Sequence, residues 1–492
     1  MYINGKWAEG AGGERSIIDP SNQSVLTVVS EASPQQVEEA VLAAKRAFEK
    51  TDWSVNTQLR VSLLRKLADL LELSAEEFAR LESKNTGKPI RESRLDIQDS
   101  VACLRYYADL AESRKEWQKE MADGTISHVT EEAIGVCALI VPWNFPLLLG
   151  VWKLAPALAA GNTVVFKPSE ITPLSFLKLA ILVEEIGMPN GVFNLVLGDG
   201  ANVGQALVSH PAVDKVSFTG GSETGKRIYQ ECAKSLKRVS LELGGKSPLL
   251  VFADADVETA VDWALFGAFF NQGQVCVASS RMLIQKELEQ AFLKGLTDRL
   301  THLRIGNPLD EHTELGPLAS AQHLRKVEEY IRIGQSEGAT LAAGGQRIDR
   351  ENGLYLTPAV FTDVHQQMRI VQEEIFGPVI TVQSFSDEEE AIELANGTRY
   401  GLAAGILSRD TERAKRVASR LRAGTVWING YHTPYVEAPW GGFKQSGIGR
   451  ELGPYGMAAF TEPKHTSINA KLQPNGWFSL PVLSTQNRMK EV

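Results

Sequence analysis

The sequence is poor in the features that would tie it to a membrane, a metal or a nucleic acid. Its four cysteines (Cys103, Cys137, Cys232, Cys276) show no CxxC spacing, and its eight histidines form no HxxxH or HExxH pair. Disulfide frameworks and metal sites need such spacings, so no metal is expected. So few cysteines in 492 residues also suit a reducing cytoplasm. The longest apolar run, Val136 to Val141, falls far short of the roughly 20 residues that cross a bilayer. The opening Met1-Tyr2-Ile3-Asn4-Gly5-Lys6-Trp7 has no apolar secretion core, and a cytoplasmic location is expected. There is no Lys/Arg-rich block, and the net charge of -9 argues against a nucleic-acid partner. Repeats, low-complexity segments and flexible linkers are absent too. What remains is thiol, carboxylate and organic-cofactor chemistry.

What is present is ordinary for a globular protein, 43% apolar and 23% charged, in a chain too long for one core. Asn4-Gly5 marks a tight hairpin, and Ser33-Pro34 opens a helix whose apolar face runs Val37, Ala40, Val41, Ala44, Phe48. Leu59 to Leu71 marks a second helix, and a long charged third is expected from about Glu92 to Met121. An exposed strand is expected over 125–130. From Ile134, apolar runs at 134–141, 163–166, 192–197, 214–218 and 238–243 alternate with helical segments near 147–160, 173–186, 201–209 and 223–236. That alternation predicts a parallel, doubly wound sheet, which binds ligands at its strand C-terminal ends. Beyond Ser247 a second α/β pattern follows, with helices at 256–269, 286–301 and 321–337 and strands near 379–385, 404–408 and 425–429. His465 to Lys471 reads as a last extended stretch able to pair with another chain.

The strand tips of the first sheet are rich in glycine and polar residues. Gly220-Gly221-Ser222-Glu223-Thr224-Gly225-Lys226 meets most of the GxxxxGK[ST] phosphate-loop pattern, but Arg227 stands where the metal-binding hydroxyl belongs. A nucleoside-triphosphate transferase is therefore disfavoured. Gly198-x-Gly200 is followed by Gly204, one residue late for GxGxxG. Each segment alone suits a tight turn; at successive strand ends they favour helix N-termini that accept a pyrophosphate. Glu170, beside Lys167 at another tip, suits ribose hydroxyls and disfavours a 2′-phosphate, which favours NAD over NADP.

Cys276 stands in Phe270-Asn271-Gln272-Gly273-Gln274-Val275-Cys276-Val277, where a helical pattern breaks at a glycine turn. Glu242 ends an apolar strand between Leu241 and Leu243. A lone free cysteine is usually a small core residue. Paired with a desolvated carboxylate, it suits covalent catalysis with the acid as general base.

Pro142-Trp143-Asn144-Phe145-Pro146, Lys167-Pro168-Ser169-Glu170, Phe218-Thr219-Gly220, Glu242-Leu243-Gly244-Gly245-Lys246, Gly273-Gln274-Val275-Cys276, Glu374-Ile375-Phe376-Gly377-Pro378 and Gly449-Arg450-Glu451-Leu452-Gly453 together resemble the ordered motifs of the NAD(P)-dependent aldehyde dehydrogenase superfamily. The resemblance spans about Ile3 to the 470s. It implies an α/β fold: a Rossmann-like doubly wound cofactor domain (1–121 and 138–245) and an α/β catalytic domain (246–445). It also implies a small β oligomerisation arm (122–137 and 464–482), with 446–463 returning to the cofactor domain.

The resemblance further implies that Cys276 attacks the aldehyde carbon, with the Asn144 amide and the Cys276 N–H as oxyanion hole. Glu242 then activates the water that hydrolyses the thioester to a free acid, and Glu451 helps relay protons. Lys167 and Glu170 would hold the adenosine ribose, Glu374 the nicotinamide ribose, and Phe376 would line that channel. Trp143, Ser169, Gly200, Gly204, Phe218, Thr219, Gly220, Gly221, Ser222, Leu243 and Gly244 complete the implied cofactor contacts. Gly221 stands where many relatives have serine, which puts one hydroxyl contact in doubt. Phe145, Trp152, Phe270, Val275, Val277 and Trp440 match the substrate tunnel, with no arginine for a second carboxylate. That lining favours a medium-chain aliphatic or aromatic aldehyde; the alternative is betaine aldehyde or another aminoaldehyde, because Phe145, Trp152 and Trp440 resemble an aromatic cation box. NAD is the expected cofactor, and a homotetramer or homodimer the expected assembly.

Overall fold

The computed structural model describes residues 1–472 and 477–478. An eight-stranded sheet runs in the order Lys6–Trp7, Tyr2–Ile3, Phe193–Leu195, Thr163–Lys167, Val136–Ile140, Lys215–Thr219, Arg238–Glu242, Gly447–Ile448. Its five inner strands are parallel, and both edges are closed by antiparallel pairings. The parallel strands are apolar because helices cover both faces. One of these, Pro146–Ala160, starts with proline at its first position and buries all fifteen residues. Strand order reverses between Val136–Ile140 and Lys215–Thr219, which places a crevice beyond their ends, beside Trp143, Asn144 and Gly220.

The second sheet has seven strands in the order Thr340–Ala343, Ala359–Thr362, Val379–Phe385, Arg281–Gln285, Pro248–Val251, Ala403–Leu407, Thr425–Ile428, parallel except at the Thr340 edge. Its central strands Pro248–Val251 and Arg281–Gln285 escape a pattern reading. A proline opens one and a charged residue the other, yet Arg281 is buried, its guanidinium donating to the Lys246, Leu394 and Ala395 carbonyls.

The third helix differs from expectation. It spans Ile90–Ser113, and Trp117–Glu120 is a strand. Residues 112–121 are all exposed, so nothing packs against a continued helix, while the backbone finds partners on Ile126–Ala133. A helix at Ala75–Thr86 was not foreseen. Ile126–Ala133 is the middle strand of a three-stranded arm between Trp117–Glu120 and Thr461–Ile468. The arm begins earlier than its assigned limits on both sides, and Val136 already lies in the eight-stranded sheet. Of the assigned stretch 464–482, positions 473–476 and 479–482 lie outside the described residues.

Candidate active site

The helix Val257–Phe269, N-capped by Asp256, ends against three consecutive left-handed residues: Asn271 (φ 48°), Gln272 (φ 57°) and Gly273 (φ 70°). A Cβ at Gly273 would lie 2.5 Å from the Gly377 carbonyl, so only glycine closes this turn. The loop beyond carries Cys276, the only cysteine of the four that is not fully buried. Burial pushes its thiol well above the ordinary range, and Glu374 and Glu242 add to the effect. The tip of strand Arg238–Glu242 meets this loop backbone to backbone: a Cβ at Gly245 would lie 2.3 Å from the Cys276 carbonyl.

Asn144 follows the strand Val136–Ile140 and reaches the same loop. Its side-chain amide donates to the Gln274 carbonyl at 2.8 Å, and its own carbonyl accepts from the Asn271 side chain at 3.0 Å. The buried Asn144 Oδ1 has no partner among the described residues.

Glu242 is 4% exposed, and neither carboxylate oxygen finds a hydrogen-bond partner among the described residues. Its carboxyl is held far above the ordinary range by burial and by Glu451, against Lys153 and Arg450. The effect of Glu451 is visible only in three dimensions. Glu451 forms a buried ion pair with Lys153, and its backbone exchanges two 2.7 Å hydrogen bonds with Trp440. A Cβ at Gly441 would lie 2.8 Å from Glu242 Oε1, so glycine there leaves the carboxylate room.

On the other side of the strand tips lie the residues assigned to a cofactor. Lys167 is buried, donates to the Pro168 carbonyl at 3.1 Å and stands 3.9 Å from Glu170. Ser169 is buried beside them. Burial lowers the Lys167 amine, opposed by Glu170, Asp199 and Glu31. The two helix starts differ. At Gly200–Gly204, Asp199 already accepts the Asn202 N–H at 2.7 Å. Ser222–Ala233 has no side-chain cap at Gly221, and Ser222 Oγ and Thr219 Oγ1 are buried without partners among the described residues. The pyrophosphate expectation therefore narrows to the Gly221 end.

Gly220 sits on the Phe218 ring, where a Cβ would be 2.4 Å from Cζ, whereas one at Gly221 would meet nothing within 4 Å. Leu243 closes on Gly225, and Glu374 accepts the Gly245 N–H at 3.0 Å, so close to Gly244 that a Cβ would be 2.2 Å away. Phe376 adopts φ 65° and meets Trp143 edge-on at 5.3 Å. Sequence reading missed Glu31 and Lys153, which carry no motif and arrive by tertiary folding, and gave Asp199 no role inside the Gly198-x-Gly200 turn.

A cavity of about 330 Å³ opens at Cys276. Phe145, Trp152, Phe270, Val275, Val277 and Trp440 all line it. Trp152 and Trp440 meet edge to face at 5.3 Å, and Phe145 stacks on Phe270 at 6.3 Å. Also lining it, and missed by sequence reading, are Asp96 and Asp99 from helix Ile90–Ser113 and His432. Asp96 is paired with Lys88; Asp99 has no ion-pair partner among the described residues. Burial lowers His432 to about 4, so its ring is neutral. Helical charges of this kind look like ordinary surface until the fold turns them inward.

Residues 7–466 match the model of the aldehyde dehydrogenase family. The chain is 49% identical to betaine aldehyde dehydrogenase of Bacillus subtilis (strain 168), over 97% of this chain and 99% of that protein. It is 42% identical to peroxisomal aminoaldehyde dehydrogenase 1 of Pisum sativum, over 98% of each. Among solved structures, betaine aldehyde dehydrogenase from Staphylococcus aureus in complex with NAD+ superposes with a TM-score of 0.95 at 46% identity, covering 97% of this chain and 96% of that one. The chain belongs to the aldehyde dehydrogenase family.

Proposed function

We propose that this enzyme oxidises a cationic aldehyde, betaine aldehyde or another aminoaldehyde, to the free carboxylic acid with NAD. This reverses the order of the two substrate classes drawn from sequence. The observation that carries it is Asp99, an unpaired carboxylate in the same 330 Å³ cavity as Cys276 and the Trp152/Trp440 pair. Aromatic faces give a trimethylammonium or ammonium group about 0.5–2 kcal/mol per contact, and a carboxylate at the wall adds charge complementarity. The similarity to betaine aldehyde and aminoaldehyde dehydrogenases supports the same reading.

The residues fit a dinucleotide. The uncapped helix start at Gly221 and the unpartnered Ser222 and Thr219 hydroxyls offer donors to a pyrophosphate. Lys167 and Glu170 would hold the adenosine ribose, and Glu374 the nicotinamide ribose. Asp199 adds a carboxylate near Lys167, while Glu31 is paired with Arg15; the preference for NAD over NADP rests on Glu170 and Asp199. When bound, NAD supplies the two-electron acceptor that the oxidation requires.

The chain's own groups do the rest. The Cys276 sulfur attacks the aldehyde carbon, and the alkoxide that forms is met by the Asn144 amide and the Cys276 N–H. Glu242 takes a proton from the water that attacks the thioester, restoring the thiol and releasing the acid. Glu451 and Lys153 offer the proton a buried path onward. Removing one oxyanion donor costs about 10²–10³ in rate. Asn144→Ala is therefore expected to lower kcat by that factor while NAD binding, read by fluorescence titration, stays unchanged.

The test of the substrate class is NADH formation, followed by absorbance, with betaine aldehyde, aminoaldehydes and hexanal, each with NAD and with NADP. Higher kcat/KM for hexanal than for every cationic aldehyde would overturn the assignment. Asp99→Asn is expected to raise KM for the cationic aldehyde about tenfold, equivalent to about 1.4 kcal/mol, and to leave hexanal within about twofold.

The arm supports assembly as a homodimer or a dimer of dimers, because it presents Trp117, half exposed, and Ile468 to solvent. Four free cysteines, three of them fully buried, support a cytoplasmic location.

A further inference from the structure

We propose that Glu92 is a positioning residue for the nucleophile, holding the left-handed turn Asn271–Gly273 and, through it, Asn144 and Cys276. The proposal rests on reading Cys276 as the nucleophile. Glu92 lies in the first turn of helix Ile90–Ser113, is 4% exposed, and does not line the Cys276 cavity. It lines the adjoining cavity with Leu95, Phe266 and Phe270, and its contact with the nucleophile loop is direct. Its Oε2 accepts the Asn271 N–H at 2.8 Å.

That bond sits where the backbone is under strain. Asn271 and Gln272 both adopt the left-handed conformation, which L-residues with side chains rarely take, so the surroundings must hold them there. The Asn271 side chain then donates to the carbonyls of Asn144 at 3.0 Å and Gln274 at 3.4 Å, while the Asn144 side chain donates to the same Gln274 carbonyl at 2.8 Å. Gln272 donates to the Gly87 and Pro317 carbonyls, and Gln274 accepts the Ala319 N–H. All these partners are neutral amides; Glu92 is the ionisable group that grips the turn. Two residues after Gln274 comes the thiol. An acceptor lost at Glu92 leaves a buried N–H unpaired in an already strained turn, and relaxation there displaces the Asn144 amide and the sulfur together.

The test compares Glu92→Gln, Glu92→Asp and Glu92→Ala in the full-length enzyme. It measures kcat, KM for NAD, thermal denaturation, and the rate at which iodoacetamide alkylates Cys276, read by mass spectrometry. Glutamine keeps an acceptor oxygen at the same reach, so its kcat and alkylation rate are expected within about threefold of the parent. Aspartate keeps the carboxyl, which burial raises to about 8 at Glu92, but falls one methylene short; its kcat is expected to drop about tenfold or more, with KM for NAD within about twofold and a changed alkylation rate. Alanine is expected to follow aspartate, and if it does not fold, the glutamine–aspartate pair decides. Unchanged kcat and alkylation in Glu92→Asp, or a loss in Glu92→Gln as deep as in Glu92→Asp, would overturn the proposal. Alkylation requires no aldehyde turnover, so its outcome is independent of the assigned reaction; a Cys276→Ala enzyme that still oxidised aldehydes would instead sink the nucleophile reading itself.

Discussion

Cys276→Ala is expected to lower aldehyde oxidation by about 10⁴-fold or more, with the protein folded and its NAD affinity intact. The reason is that nothing can replace the sulfur. The three other cysteines are fully buried, and burial pushes the Cys103 and Cys137 thiols up, away from the reactive thiolate. Cys276 is half-buried and heads a cavity, so losing its sulfur atom removes little packing, and stability should change by about 1 kcal/mol or less. The check pairs a steady-state assay with thermal denaturation and a fluorescence titration of NAD. A variant that retained the activity would overturn the assignment of Cys276 as the nucleophile.

Glu242→Gln is expected to convert steady turnover into a single burst. One NADH should form per active site, after which the acyl-enzyme hydrolyses slower by about 10²–10⁴-fold, the usual contribution of a positioned general base. Hydroxylamine, which needs no base to attack a thioester, should restart turnover; a lowered burst amplitude would instead place Glu242 in the acylation step. The pH dependence carries a sign. Burial and Glu451 hold the Glu242 carboxyl far above its ordinary range, so the base form grows in as pH rises through its raised value, and deacylation should rise with it. The stability sign is opposite. Between the ordinary and raised values the unfolded chain has released a proton that the folded one retains, so folding stability falls as pH rises. Glu242→Gln has no such proton and should gain on the parent over that window, measured by denaturant titration at several pH values.

Residues that act as a local word were readable without the fold. Cys276 after its glycine turn, Glu242 at an apolar strand end, and Asn144 before a proline-led helix each carry a chemistry in their immediate neighbours. The alternation of short apolar runs with helices gave the first sheet because parallel strands covered on both faces must be apolar throughout. Phe145, Trp152 and Trp440 entered as an aromatic lining through the family resemblance, and all three line the Cys276 cavity.

Other features were invisible along the chain for stated physical reasons. The end of the third helix depends on whether anything packs beyond Ala111, and charged residues there are equally suited to helix or strand. Arg281 looks like a surface residue until three carbonyls from distant segments satisfy its guanidinium inside a sheet. Asp99 reaches the Cys276 cavity only because helix Ile90–Ser113 presents it there, and Glu92 accepts a hydrogen bond from a turn 179 residues away. The sequence by itself determined the family, through its ordered motifs, and the apolar strands, and it singled out Cys276 and Glu242 as candidates, since each is a matter of residue type and short spacing. Only the tertiary structure decided which charges line the Cys276 cavity, that Glu451 helps raise Glu242, and what pairs with the Asn271–Gly273 turn, because burial and long-range pairing exist only once the chain has closed on itself.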